Sequence, residues 1–444
     1  MILLQFAILL AMILIGSRLK GIGLGVMGMI GLLIFVLFFH MRPAEPPVAV
    51  LLIILAIVTT AATLQAAGGL DYLVSIAEKI IRRNPKYITF IAPFTVYFLC
   101  LFAGTAHIVY SLLPIIAEVS AKKRIRPERP LSISVIASHM ALTGSPMSAA
   151  TASLAAILAY STAVVDIMKI CIPACLIGIA AGVFSVWKIG KELNEDPEFI
   201  EKMKDPVFAE SIDKTSESDR TLKPGAKTAV FIFASAILLI IIFGAFPQFL
   251  PHVGEGEAGF AVGADGAVNL TGLIIMITLS ASALIMIVTK TSPMLVSKMS
   301  LFTSMATALV SVLGVVWMSA TFMGANNKLI ESTFRDITSE YPFTFTFALI
   351  IMGALTFSQA ATTKIMMPIG LALGIGQPHL IAMFPAVNAD FILPGYPTLV
   401  AAMDFDRTGT TRIGKYVVNH SFMLPGLVTI AVTIASGFLF SMFI

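Results

Sequence analysis

Small, hydroxyl-bearing and amide residues interrupt four long apolar stretches of this chain. Gly104, Thr105 and His107 break one, and Ser145, Pro146 and Ser148 a second. Ser358 and Gln359 break a third, and Tyr396, Pro397 and Thr398 a fourth. Two of the breaks share a frame. Leu142-Thr143-Gly144-Ser145-Pro146-Met147-Ser148 aligns with Leu393-Pro394-Gly395-Tyr396-Pro397-Thr398 as Leu-x-Gly-x-Pro followed by small or hydroxyl-bearing residues. Matching Gly/Pro interruptions in two halves of an apolar chain point to a transporter's binding site. A broken helix leaves backbone N–H and C=O groups unpaired, and at membrane depth these are tolerated only where they line a cavity or meet a ligand.

The chemistry such breaks offer is anion binding. Free N–H groups and the positive end of a helix dipole face the break. Gly104 permits close backbone approach. Thr105, Ser145, Ser148, Ser358 and Thr398 add hydroxyl donors, Gln359 adds an amide, and Pro146 and Pro397 each remove a donor and interrupt the helix. No Arg lies inside an apolar segment, but Lys364 does, about six residues past the Ser358 break, or ~9 Å along a helix. An intramembrane charge is costly and marks a functional site by default. Lys364 is expected either to neutralise a bound anion or to pair with Asp390. His107 and His139 are candidates to carry protons or donate to a carboxylate. Taken singly, each Ser or Thr reads equally well as back-bonding to a helix carbonyl, and each His as a packed, hydrogen-bonded ring.

The elements that must position these residues follow from composition. The 444 residues are 57% hydrophobic and 12% charged, against about 25% charged in soluble domains. The charges cluster in connectors, leaving apolar runs near the ~20 residues a bilayer requires. The chain therefore reads as an all-α polytopic membrane protein. Cys100, Cys171 and Cys175 all lie in apolar runs and suggest buried packing, with no disulfide framework or metal site. The first residues lack a basic region and a small-residue cleavage site, so they read as a retained helix.

Apolar runs predict crossings near 2–16, 22–39, 48–67, 131–160, 163–187, 228–247, 270–289, 300–320, 379–403 and 416–443. Stretches 88–120 and 343–376 are broken in the middle and read as re-entrant helical hairpins. With the N-terminus outside, 24 of the 29 Lys and Arg fall in cytoplasmic connectors, while Arg42, Lys328 and Arg335 lie outside, as the positive-inside rule requires. Two true crossings per broken stretch would give the same loop sides.

Each half then holds three crossings, a hairpin, a broken crossing (131–160 or 379–403) and a final crossing. Five crossings per half invert the topology of the second repeat. The repeats span 1–187 and 228–444, and both termini are periplasmic. The connector 188–227, rich in Glu, Asp, Lys and Ser, reads as a solvated cytoplasmic tether with room for a short amphipathic helix. Residues 70–83 read as an amphipathic helix along the cytoplasmic interface. The glycine run from Gly21 to Gly31 offers a face for close helix packing, within the chain or, alternatively, in a homodimer.

Several segments resemble one family closely: Thr63-Leu64-Gln65-Ala66-Ala67-Gly68-Gly69-Leu70-Asp71, Arg82-Arg83-Asn84-Pro85-Lys86-Tyr87 and Ile125-Arg126-Pro127-Glu128-Arg129-Pro130. Gly104-Thr105-Ala106-His107-Ile108-Val109-Tyr110, Phe405-Asp406-Arg407-Thr408-Gly409-Thr410-Thr411 and Asn419-His420-Ser421-Phe422-Met423-Leu424-Pro425-Gly426 extend it over nearly the whole length. The chain is similar here to the bacterial anaerobic C4-dicarboxylate transporter (Dcu) family. The resemblance implies an inner-membrane carrier exchanging fumarate, malate, aspartate and succinate. It also implies the paired hairpins and elevator motion of the wider ion-transporter superfamily.

Competing classes are ion-coupled uptake of another organic anion, with a proton or cation as the coupling ion, a membrane-embedded enzyme, and a sensor or co-sensor. No HExxH motif, Asp-rich metal cluster or Ser/His/Asp set stands at convincing spacing, and no GxxxxGK[ST] loop supports primary transport. The sequence implies no cofactor and no nucleic-acid partner.

Overall fold

The computed structural model describes the chain except residues 20–21, 47, 161, 214–221, 255, 257–258, 264–265, 300, 303–308, 311–312, 316, 323, 327–341, 357, 395, 417–418 and 444. The predicted crossing at 300–320 falls in large part outside the described residues, as do Lys328, Arg335 and Gly395. The architecture is all-helical. Among the described residues the only β pairing is three isolated bridges in the connectors, two of them in the loop before Leu270.

The first half opens with α1 (Ile2–Leu19), α2 (Gly23–Phe39) and α3 (Val48–Ala66). At Gly68, whose φ of +79° suits glycine, the chain bends by 70° into α4 (Gly69–Arg83). Leu70, Val74, Ala77 and Ile81 form its buried stripe, and Lys79, Arg82 and Arg83 lie toward its end. This is the amphipathic surface pattern expected of 70–83. The Arg82 guanidinium forks onto both Glu118 carboxylate oxygens at 3.2 Å, which ties α4 to the foot of the first hairpin.

That hairpin is α5 (Ile88–Ala103), a 3-10 turn at Ala106–Ser111 and α6 (Leu113–Lys122). With its lead-in, Pro85–Ala103 is 19 residues and long enough to cross a bilayer alone, whereas α6 has 10 residues. The broken crossing is α7 (Glu128–Met140) and α8 (Ala149–Leu158), and α9 (Ala163–Val186) closes the half. Two short helices follow, α10 (Pro197–Lys202) and α11 (Pro206–Asp213).

The second half begins with α12 (Ala226–Ala245), α13 (Leu270–Thr289) and the short α14 (Pro293–Ser297). Its hairpin is α15 (Phe345–Thr356) and α16 (Gln359–Ala372). Its broken crossing is α17 (Gln377–Met383), a 3-10 run at Phe384–Phe391 and α18 (Pro397–Phe405), followed by the final α19 (Met423–Ser441). Among the described residues, four helices are individually long and apolar enough to span a membrane: Pro85–Ala103, Ala163–Val186, Leu270–Thr289 and Met423–Ser441.

Packing follows the small residues. A Cβ at Gly28 would come within 2.6 Å of the Gly314 carbonyl carbon, so part of the glycine run brings backbones together inside this chain. The final helices of the two halves pack on each other, with Gly178 and Gly182 of α9 facing Thr429 and Thr433 of α19. Hairpin and broken crossing also pair in each half, α5 with α7 and α15 with the 384–391 turn.

Candidate functional site

The first break is held by its own hydroxyls. Gly104 ends α5 with a φ of +67°, and a side chain there would run into the Met147 backbone at 2.6 Å. The hairpin tip therefore seats on the break with no room for a Cβ. Ser145 donates to the Leu101 carbonyl at 2.6 Å, which stitches break to hairpin. Ser148 donates to the Leu142 carbonyl and accepts from Thr151 N at 3.1 Å, so it caps α8. Thr151 donates to the same Leu142 carbonyl at 2.9 Å, and Thr143 donates to Met140 O at 2.9 Å. Carbonyls orphaned by the break are satisfied by neighbouring side chains.

At the tip, Thr105 caps the 3-10 turn by accepting from His107 N at 3.3 Å. His107 is exposed and stacks on Tyr110, with ring centroids 6.0 Å apart and planes 8° apart. Pro146 is half-buried.

The second break is built differently. His139, at the C-terminal end of α7 in the first half, and Asp390, in the second, are both fully buried. Nδ1 of His139 lies 2.9 Å from Oδ1 of Asp390, and because the carboxylate can only accept, the ring donates there. A neutral ring then accepts at Nε2 from the Thr398 hydroxyl, 2.7 Å away. Gln359, the first residue of α16, donates Nε2–H to Oδ2 of Asp390 at 2.6 Å. Tyr396 packs its ring on His139 at 4.7 Å between centroids.

One carboxylate thus joins the tip of the second hairpin, the second broken crossing and the first. Ser358 accepts from Ala361 N at 3.2 Å as the cap of α16, and Pro397 begins α18 with an exposed ring.

Of the two roles open to Lys364, pairing with Asp390 does not occur in the structure. Asp390 is occupied by His139 and Gln359, and Lys364 forms no ion pair or hydrogen bond among the described residues, although only 5% of it is exposed. Proximity in sequence suggested the pairing. A histidine 251 residues away took the carboxylate. Lys364 lies in the second turn of α16, the helix that packs against α8.

The structure therefore gathers His139, Gln359, Asp390, Tyr396 and Thr398 into one bonded cluster, and the turn with His107 packs against α18 beside it. Ser145 and Ser148 lie at the other break. Asn388 was not singled out from the sequence. It donates to Pro385 O at 3.0 Å and Thr143 Oγ1 at 3.4 Å, while its own side-chain oxygen is buried without a partner. An amide two residues before Asp390 in an apolar run was the available signal. The described residues hold no cluster of three or more His, Cys, Asp or Glu that could bind a metal ion.

An all-helical, apolar chain with four described helices long enough to cross a bilayer is an integral membrane protein. The profile of the DcuA_DcuB family, described as an anaerobic C4-dicarboxylate membrane transporter, matches residues 1–444, and the chain belongs to that family. It is 40% identical to the anaerobic C4-dicarboxylate transporter DcuB of Escherichia coli O6:H1, with 98% of each chain covered. It is 37% identical to the C4-dicarboxylate transporter DcuA of Wolinella succinogenes, with 99% of each covered. To DcuA of Escherichia coli K12 it is 35% identical over the whole of both chains. Its fold is similar to that of the Alcanivorax borkumensis YdaH transporter, with a TM-score of 0.53 over 88% of this chain and 84% of that one, at 13% identity.

Proposed function

We propose that this protein is a secondary carrier that exchanges fumarate, malate, aspartate and succinate across the bacterial inner membrane. In this reading the two halves are inverted repeats, with ten crossings, two re-entrant hairpins and both termini periplasmic. The hairpins and broken crossings move the substrate by an elevator motion. The substrate lies between the tips and breaks. Its carboxylates meet Lys364 and the N-terminal ends of α8, α16 and α18.

The observation that carries this reading is Lys364, a buried cation with no protein anion paired to it among the described residues, on the helix whose first residue joins the Asp390 cluster. A buried unpaired ammonium is costly and is relieved by a bound anion. Gly104, Thr105, His107, Ser145, Pro146, Ser148, Ser358, Gln359, Tyr396, Pro397 and Thr398 shape the tips around that anion. The names of the DcuB and DcuA relatives support dicarboxylates as the class carried.

A second reading, proton-coupled uptake, is favoured by the buried His139–Asp390 pair, which can hold a proton between the two halves. Counterflow in proteoliposomes tests both. Liposomes preloaded with succinate are expected to accumulate labelled fumarate or malate and to ignore monocarboxylates. Accumulation only under an imposed pH gradient, without internal dicarboxylate, would replace exchange with coupled uptake. No dicarboxylate flux under either condition would reject the reading.

A further inference from the structure

The connector between the halves reads from sequence as a solvated tether, yet its first part is docked. After α9 the chain turns at Gly190, φ +65°, where a side chain would overlap the Arg126 guanidinium. Arg129 donates to the carbonyls of Ile189 at 2.8 Å and Gly190 at 3.0 Å, and pairs with Glu192 at 2.6 Å. Arg126 bonds Glu128 at 2.6 Å and Asp196 at 2.8 Å. Burial opposes the Arg126 charge, but these two carboxylates overcome it and hold the guanidinium above its ordinary value. Asp196 also caps α10, accepting from Glu198 N at 3.0 Å. Leu193, Phe199 and Ile212 are buried in one cluster with Ala121 at the foot of the first hairpin.

The same segment reaches the other side of the site. Lys202 Nζ donates to the Thr408 carbonyl at 3.0 Å, in the loop that follows α18. That loop is folded around Asp406, which accepts from the backbone N–H of Thr408 at 3.0 Å and of Thr411 at 2.7 Å. Arms α6 and α18 each run from a tip or break toward this basic end of the molecule, and they pack on each other. Between their feet lies a cavity of about 190 Å³, walled by Pro114, Ala117 and Ala121 on one side and Asp404 and Asp406 on the other, with Ile212 of α11 against it.

We infer that residues 188–213 form a strap across the feet of the first hairpin and the second broken crossing. The strap covers the cavity between them, and release of the Lys202–Thr408 contact opens it. A passive tether would need neither the buried Leu193–Phe199–Ile212 cluster against Ala121 nor bonds both to Arg126 and Arg129 at the start of the first broken crossing and to Thr408 after the second.

The test uses the full chain in proteoliposomes with Cys100, Cys171 and Cys175 replaced. In K202C/T408C, a short bifunctional methanethiosulfonate should lower counterflow at least tenfold, and reductant should restore it. K202C alone should not respond. Unchanged counterflow in the joined protein would overturn the strap.

A second arm needs no transported anion. The thiol introduced by A117C should react with an impermeant maleimide several-fold faster when K202A is added, and from one face only. Equal rates with and without K202A would contradict the inference.

Discussion

The two hairpins meet their partner breaks in opposite ways. At the first, Ser145 and Ser148 donate to the backbone carbonyls of Leu101 and Leu142, and Gly104 leaves no room above Met147. No ionisable side chain takes part in those contacts. At the second, the Gln359 amide and the His139 ring converge on one carboxylate, Asp390, and Lys364, a buried cation with no partner among the described residues, lies further along the helix that Gln359 begins. Related frames have thus been put to different work. The first break is a neutral, self-satisfied seat, while the second holds the charge. A buried neutral network rigidifies, whereas a buried charge is costly unless something answers it.

The largest effect expected from this difference is at Asp390. D390A leaves the His139 ring and the Gln359 amide as unsatisfied donors in the interior, at about 1–3 kcal/mol for each. Purified D390A should melt well below wild type and lose exchange. A double-mutant cycle sharpens the point. H139A and D390A should be strongly non-additive in melting free energy, whereas K364M and D390A should add, because only the first pair is bonded. Additivity at His139–Asp390 would break the comparison.

Next in size is Gly104. A side chain with positive φ costs roughly 1–2 kcal/mol, and the overlap with Met147 adds to it. G104A should lower the melting temperature and impair exchange. A melt equal to wild type would show that the first tip is not seated as described.

The smallest effects belong to the caps. Thr105 and Ser358 both accept from backbone N–H groups, so T105V and S358A should each cost about 1 kcal/mol of stability, as lost N-caps typically do. Their dicarboxylate affinity should fall by more than that only if the hydroxyls also reach substrate. Isothermal titration of both variants separates the two roles.

The breaks themselves were legible in the sequence, because glycine, proline and hydroxyl residues have few reasons to interrupt an apolar run. Ser148 and Ser358 were visible as candidate donors, and the alternative that they serve the backbone was equally legible. The structure shows them bonded to backbone at both breaks.

The Asp390 cluster was only half visible. His139 and Asp390 were each conspicuous as ionisable residues in apolar segments, but nothing local joins residues 251 apart. Sequence nearness offered Lys364 as one partner for Asp390, beside its other role of neutralising a bound anion. The docking of the connector is hidden for a related reason. Its charges and prolines describe a solvated segment, and its few apolar residues, Leu193, Phe199 and Ile212, gain meaning only once the foot of α6 is beside them.

The central claim is that Lys364 is the fixed charge that holds the anion, while the Ser145 side chain serves the seat of the first hairpin. Succinate affinity of purified K364M and S145A, measured by isothermal titration beside wild type, tests it most directly. A lost bond between charged groups is worth about 1.5–3 kcal/mol, or roughly ten- to a hundredfold in affinity. K364M should fold with an unchanged or higher melting temperature and bind succinate that much more weakly. S145A should bind within about twofold of wild type while losing about 1 kcal/mol of stability. Wild-type affinity in K364M, with the loss appearing in S145A instead, would contradict the account.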